Sequence, residues 1–295
     1  MVTKGFRPLI FLKGMMMGAA DIIPGVSGGT IALITGIYEE LIFSLGSLFD
    51  TGTLSLLMKG RLQAWWKKIN GTFLVHLLAG ILTSVFLLAR LISWLFTHYP
   101  LLVWAFFFGL IAASGIFILK RWRIQNIRQF LWVVLGASLA LLLAFLHPVG
   151  PRTAEAGWLV LFGSGALASI AMILPGISGS YILILIGMYR YVLEKVHHMD
   201  IMPLLIFSAG VATGLAGFSR FLRWLFARYE HTTMLILGGF LMGSLAMVWP
   251  WKEDLRPVWP THYHDHPQIP VVLIWMVAGW TLIWLIEKAA ARYGH

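Results

Sequence analysis

Apolar residues fall into about ten long stretches, at 9–23, 26–48, 72–97, 100–119, 129–147, 157–174, 176–193, 201–226, 233–250 and 270–287. Most approach the ~20 residues that a helix needs to cross a ~30 Å hydrocarbon core. No water reaches the backbone there, so such stretches must be helical to bond their own N–H and C=O groups. Polar punctuation separates several of them, as in DTGTLSLLMKGRLQAWWKKIN, KRWRIQNIR, HPVGPRTAEAG and WKEDLRPVWPTHYHDHPQIP. The pattern predicts an all-α polytopic membrane protein with no stretch left for a sizeable soluble domain. Two neighbouring pairs have almost no polar spacer and join at Pro24-Gly25 and Pro175-Gly176. Proline removes a backbone donor and glycine relaxes the chain, so each junction is a predicted helix break at membrane depth. The weak punctuation favours re-entrant helical hairpins there, giving six full transmembrane helices plus two hairpins.

An internal repeat organises these segments. IPGVSGGTIALITGIY, ending at Tyr38, aligns with LPGISGSYILILIGMY, ending at Tyr189, at an offset of 151. Pro24/Pro175, Gly25/Gly176, Ser27/Ser178, Gly28/Gly179, Gly36/Gly187 and Tyr38/Tyr189 are identical. Ala79–Tyr99 aligns with Ala209–Tyr229 at an offset of 130 and matches at eight of 21 positions, among them Thr83/Thr213, Arg90/Arg220, Trp94/Trp224 and Phe96/Phe226; Gly109/Gly239 and Ser114/Ser244 extend it. Apolar matches between membrane helices are cheap, but a matched arginine and matched prolines are not. The expected halves are 1–150 and 151–295, each with five apolar segments. An odd number puts the halves in opposite orientations within one integrated membrane domain. With the N-terminus inside, 14 Lys and Arg fall on the cytoplasmic side, against four outside (Arg152, Lys195, Lys252 and Arg256). That bias follows the positive-inside rule and places both termini in the cytoplasm. Inverted repeats with interrupted helices in matching positions are the signature of secondary transporters, with the site at the repeat interface.

Composition narrows the function. Of 295 residues 59% are hydrophobic and 12% charged, and mean hydropathy is +0.83; an ordinary soluble domain is about 25% charged. The absence of cysteine excludes disulfides, thiol catalysis and a Cys-based zinc site. A formal charge of +10 would suit nucleic acid in a soluble protein, but here it reports orientation, and no basic patch with exposed interleaved aromatics points to nucleic acid. The basic, then apolar N-terminus lacks a small-residue cleavage site and is read as retained. Fourteen Trp, 19 Phe and eight Tyr suit interfacial belts.

The sharpest candidate chemistry is the pair PGVSGGT (Pro24–Thr30) and PGISGSY (Pro175–Tyr181). A break followed by Ser-Gly starts a helix whose unpaired N–H groups and dipole favour an anion. Glycines let a phosphate approach the backbone. The candidate phosphate-binding residues are therefore Ser27, Gly28, Gly29 and Thr30, with Ser178, Gly179 and Ser180. The plainer alternative is that small residues only let helices pack closely. Arg90 and Arg220 each lie near the end of an apolar segment, with Trp94 or Trp224 one turn further on. An intramembrane arginine costs ~3 kcal/mol on insertion scales and is usually paired or functional; the alternative is snorkelling with the guanidinium stacked on the Trp. The acidic residues break the repeat: Asp21 aligns with Met172, and Glu39 and Glu40 with Arg190 and Tyr191. Asp21 and Glu39 are candidates for coupling transport to a proton or cation, while Glu40 suits the interface. The His262–His266 loop (HYHDH) reads as solvated, His76 as a satisfied core residue, and WWKKIN and KRWRIQNIR as headgroup-contacting segments. No P-loop, dinucleotide fingerprint, HExxH or nucleophile with a paired base is present. No cofactor, metal or catalytic residue is expected, and the energy for any movement must come from a gradient or from the substrate itself.

GMMMGAADIIPGVSGGTIALITGIYEELI (Gly14–Ile42), followed by the LPGISGSYILILIGMY copy, closely resembles the bacterial polyprenyl-phosphate transporter family, and the likeness spans essentially the whole chain. The resemblance implies a flippase that returns undecaprenyl phosphate, the lipid carrier of cell-wall synthesis, from the outer to the inner leaflet of the cytoplasmic membrane. Membrane phospholipids would be its other partners, and a homodimer is compatible with this. PGVSGG also resembles part of the PGxSRSG element of undecaprenyl-pyrophosphate phosphatases. That family has an arginine after the serine where this chain has Gly28 and Gly179, and its Glu-rich first motif is not evident. A phosphatase-like enzyme and a carrier or channel for a small anion are the remaining alternatives.

Overall fold

A computed structural model of the protein describes residues 7–22, 26–146, 148, 150, 157–253, 256–263 and 266–293. The helices are α1 (Pro8–Asp21), α2 (Gly28–Ile34), α3 (Tyr38–Leu48), α4 (Thr51–Met58), α5 (Leu62–Lys68), α6 (Gly71–His98), α7 (Pro100–Arg121), α8 (Ile127–Phe145), α9 (Trp158–Ile173), α10 (Gly179–Leu185), α11 (Tyr189–His197), α12 (Ile201–Ser244) and α13 (Ile269–Tyr293). The strands among the described residues are a two-residue antiparallel pair, Lys252–Glu253 with Arg256–Pro257. The protein is an all-α polytopic membrane protein, as its apolar pattern predicts.

Helices α6, α7, α8, α12 and α13 are long and apolar enough to cross a membrane. Helix α12 has 44 residues, or about 66 Å at ~1.5 Å per residue, twice the thickness of the hydrocarbon core. Its backbone leaves helical geometry at Tyr229 (φ −139°, ψ 41°). Tyr99, between α6 and α7, takes nearly the same conformation (φ −137°, ψ 49°), and these two tyrosines close the aligned segments Ala79–Tyr99 and Ala209–Tyr229. Helix α12 thus contains two spans joined at Tyr229.

The short helices form hairpins. Asp21 at the end of α1 meets Gly28 at the start of α2, and Lys13, eight residues back, donates to the Thr35 carbonyl just past the end of α2. Helix α2 therefore folds back along α1. Helix α10 packs in the same way on α9, where Gly179 lies against the Ala168 carbonyl.

The apolar stretches 26–48 and 176–193, expected to be continuous, are each broken once more. Gly36 and Gly187 both have φ of +72°. In one copy Ile37 N bonds Ala32 O and Gly36 N bonds Leu33 O; in the other Met188 N bonds Leu183 O and Gly187 N bonds Ile184 O. This is the Schellman stop, with glycine at the left-handed position. A Cβ at either glycine meets nothing within 4 Å, so substitution acts through the backbone alone. Gly36→Ala and Gly187→Ala should each cost ~1–2 kcal/mol, read as a lower unfolding temperature in detergent.

The chain divides into two compact units, one of residues 1–89 and 147–228, the other of 90–146 and 229–295. In the first, Gly14 and Gly80 bring α1 and α6 into backbone contact: a Cβ on Gly14 would strike the Leu77 carbonyl, and one on Gly80 the Phe11 carbonyl. Helices α9 and α12 meet through the aligned glycines, Gly165 against Phe207 O and Gly210 against Phe162 O. The next small residue changes sides, with Gly18 and Ser84 in one pair and Ser169 and Gly214 in the other. In the second unit α7 packs on α13 through Gly109 against Met276 O and Gly279 against Phe106 O. Helix α12 packs on α8 through Gly239 against Val133 O and Gly136 against Ile236 O. These contacts expose a third matched segment, α8 with α13, at an offset of 143, in which Trp132/Trp275, Val134/Val277, Gly136/Gly279 and Leu139/Leu282 are identical.

Candidate functional site

Local chemistry shapes each break. Before Pro175, Leu174 is extended (φ −65°, ψ 130°), as a residue ahead of proline must be, and Gly176 turns the chain at φ +92°. Pro24 and Gly25 lie outside the described residues. Beyond the first break, Ser27 caps α2, its Oγ accepting from Gly29 N at 3.1 Å. Ser178 caps α10, accepting from Tyr181 N at 3.1 Å, with Ser180 Oγ 2.8 Å away. A short side chain with an oxygen satisfies one orphan donor of a new helix.

The first helix start is filled from within the chain. Gly28 N donates to Asp21 Oδ1 at 2.6 Å, and Thr30 N to the Ser27 carbonyl at 2.9 Å. Asp21 thus holds its carboxyl at the place where the sequence suggests a phosphate.

The two breaks cross inside the first unit. Thr30 Oγ1 accepts from Gly176 N at 2.7 Å. Ser27 Oγ lies 3.1 Å from Leu174 O and 3.2 Å from Met172 O, and Tyr38 donates its hydroxyl to Ile173 O at 3.2 Å. Gly29 fits against the Ile173 carbonyl, where a Cβ would stand 2.6 Å away. Ser27 and Thr30 are 0% exposed and Ser178 5%. Side chains of the first motif thereby tie down the polar backbone of the second break, which a nonpolar setting would otherwise leave unpaired. The structure brings together Ser27, Gly28, Gly29, Thr30, Asp21, Pro175, Gly176, Ser178, Gly179 and Ser180.

The other sequence candidates lie elsewhere. Glu39 and Glu40 are in the first turn of α3; Glu40 Oε1 accepts from Asn70 Nδ2 at 2.8 Å and lies 3.7 Å from Arg7. Arg220 is exposed on α12 in the first unit, and Arg90 is exposed on α6 in the second. Their companion tryptophans stack on other rings, Trp94 on His98 at 4.8 Å and Trp224 on Phe221 at 6.2 Å. His76 Nδ1 bonds its own helix at Thr72 O, 2.7 Å away. Of the HYHDH loop, His264 and Asp265 lie outside the described residues.

Two lysines were missed by the sequence reading. Lys13, half-buried in α1, holds the end of α2 at 2.6 Å; its signal was a single cation inside the apolar run 9–23. Lys252, in the loop before α13, sits with its ammonium 3.1 Å from the centre of the Trp104 ring and donates to Met247 O at 2.5 Å. Burial pushes its pKa well below the ordinary lysine value. In the unfolded chain the group regains that value and binds a proton more readily, so stability should rise as pH increases from the lowered value towards 10.5. Lys252→Met should flatten that rise in pH-dependent denaturation; an unchanged slope would refute the assignment.

Residues 17–265 match the family model described as undecaprenyl phosphate translocase-like (VCA0040-like). The chain belongs to this family. It is 45% identical over 245 residues to a protein of Vibrio cholerae serotype O1 named "Polyprenyl-phosphate transporter", covering 83% of this chain and 78% of that protein. A Staphylococcus aureus protein of the same name is 29% identical over 260 residues, 83% of this chain and 87% of the relative. No solved structure matches. The translocase-like match includes both breaks, Asp21, Arg90 and Arg220.

Proposed function

We propose that this protein is a polyprenyl-phosphate transporter that carries undecaprenyl phosphate from the outer to the inner leaflet of a bacterial cytoplasmic membrane, with both termini cytoplasmic. The observation that carries the reading is the crossing of the two breaks, Thr30 on Gly176 and Ser27 on the carbonyls of 172 and 174, in a chain of this family. In this account residues 1–150 and 151–295 are inverted repeats, supported by the glycine contacts and Schellman stops that recur in chain order at offsets of 151, 130 and 143. The repeats exchange access to the crossed breaks by rocking against one another.

A phosphate leaving water needs donors, and the helix starts at the breaks hold N–H groups on short exchangeable partners, Gly28 on Asp21 and Gly29 on Ser27 Oγ, that the headgroup replaces. Ser27, Gly28, Gly29 and Thr30, with Ser178, Gly179 and Ser180, receive the headgroup. Arg90 and Arg220 pair with it on its way in and out, and the polyprenyl tail stays in lipid. Asp21 holds Gly28 N when the site is free. A carboxylate and a phosphate cannot share that donor, so Asp21 releases Gly28 N on binding by taking up a proton, and this couples transport to that proton; Glu39 is the second coupling candidate. The protein acts without making or breaking a covalent bond.

The test uses purified protein in liposomes with undecaprenyl phosphate in one leaflet, following its appearance in the other with and without a pH gradient while inorganic phosphate is assayed. Movement without phosphate release is the expected result. Phosphate release from undecaprenyl pyrophosphate would favour a phosphatase instead, and passage of inorganic phosphate a small-anion carrier. Arg90→Ala and Arg220→Ala should each abolish movement while the protein still inserts; wild-type rates in both would remove the arginines from the mechanism.

A further inference from the structure

A second charged site lies along α3 from the crossed breaks. Tyr38, whose hydroxyl reaches Ile173 O, begins α3 and packs edge-on against Phe226 of α12, with ring centroids 5.9 Å apart. The two helices continue side by side: Gly46 fits against Ser219 O and the Arg223 side chain, and Arg223 Nη1 lies 3.5 Å from Ser47 Oγ. Just past the end of α3, Asp50 forms a 3.0 Å ion pair with Lys68 at the end of α5. Arg223 and Arg220 also act on the Asp50 carboxylate electrostatically. Asp50 stands at the N-cap of α4, where a carboxylate ordinarily bonds the helix N–H groups, yet its side chain makes no cap bond. It is turned to the lysine instead. Lys68 thus pairs with Asp50 directly, with Arg223 at Ser47 three residues before it and Arg220 one turn from Arg223 on α12. Asp50 lies about 18 Å along the chain path from Tyr38 (~1.5 Å per residue).

The setting is amphipathic. Leu54, Leu57, Met58, Leu62 and Trp66 on α4 and α5 are exposed beside this cluster. Cations with exposed apolar side chains on the adjoining helices suit a lipid anion rather than a solute. Arginines at i and i+3 on one helix face, with a lysine opposite, also suit a phosphomonoester, which offers three oxygens and up to two charges.

We propose that Lys68, Arg220 and Arg223 form a docking site for the phosphomonoester headgroup of a polyprenyl lipid, with Asp50 as a built-in counter-ion that the headgroup displaces. The site rests on the transporter reading above and adds a second station to it, joined to the crossed breaks by α3. Asp50 keeps the cations paired when no lipid is bound and sets how readily the headgroup leaves.

The experiment measures binding to the full-length protein in phosphatidylcholine nanodiscs by native mass spectrometry. The probes are farnesyl phosphate, farnesol, inorganic phosphate and phosphatidylglycerol. Asp50→Asn removes the competitor, so farnesyl phosphate should bind several-fold more tightly. Lys68→Gln combined with Arg223→Gln should weaken it on the order of tenfold or more, as loss of charge-assisted bonds implies. Farnesol, inorganic phosphate and phosphatidylglycerol should bind weakly and respond little to either change. Unchanged or weaker binding by Asp50→Asn overturns the site, as does equal binding of inorganic phosphate or phosphatidylglycerol. If the double variant does not fold, the sign of the Asp50→Asn effect decides. Wild-type transport with no effect of either change removes this site alone; a wild-type protein that neither binds nor moves polyprenyl phosphate removes the transporter reading as well.

Discussion

Thr30→Val should stop transport while Thr30→Ser keeps it. Valine matches threonine in shape but offers no oxygen to Gly176 N, which now donates at 2.7 Å inside a fully buried contact. An orphaned buried amide costs ~1–3 kcal/mol, and here the loss falls on the contact that holds one break against the other. Serine retains the acceptor and loses only a methyl. The liposome assay reads the difference: a rate at background for valine and near wild type for serine, with both proteins monodisperse in detergent. Equal rates for the two would show that the Thr30–Gly176 contact is not part of the working site.

The largest effect on stability is expected at the helix seams. Gly80→Val and Gly210→Val each put a side chain into backbone, the first against Phe11 O and the second against Phe162 O. Backbone cannot swing aside as a flexible side chain can, so α1 must separate from α6, or α9 from α12. Overpacking a tight core costs ~1–3 kcal/mol even when side chains adjust, and here helix separation also forfeits the close contacts that hold membrane helices together. Both variants should give little folded protein by size-exclusion chromatography of detergent extracts. Gly217→Ala is the control: its Cβ meets nothing within 4 Å, and alanine in a helix interior stabilises by roughly 0.5–1 kcal/mol. Normal yields of the two valine variants would contradict the packing described.

The features most legible in the sequence were those that violate an apolar background. Prolines at 24 and 175 followed by glycine mark breaks because a membrane helix has no other reason to carry them together. The second stop, at Gly36 and Gly187, was hidden because hydrophobicity continues across it and a lone glycine in an apolar run is also compatible with a helix. The positive φ and the Schellman bonds reveal that the helix ends. The match of α8 with α13 was hidden for a different reason. The offset grows from 130 to 143 across the long loop before α13, so an alignment held at one offset loses it, whereas the glycine contacts of 136 and 279 recover it. The hydroxyl and amide contacts between the breaks join residues about 145 positions apart, and no local pattern encodes them. Asp21 was legible as an unusual carboxylate, but its hold on Gly28 depends on the hairpin closing. Lys252 reads in the sequence only as one of the four cations on the outer side, because its packing on the Trp104 ring joins residues far apart in the chain.

The most direct test of the account is where the headgroup sits. Protein in nanodiscs would be photolysed with a farnesyl phosphate carrying a diazirine beside the phosphate, and the labelled peptides mapped by mass spectrometry. The account predicts labelling within 26–35 and 174–186, suppressed by unlabelled undecaprenyl phosphate and lost in Thr30→Val. Labelling confined to other segments in protein that still transports would contradict it.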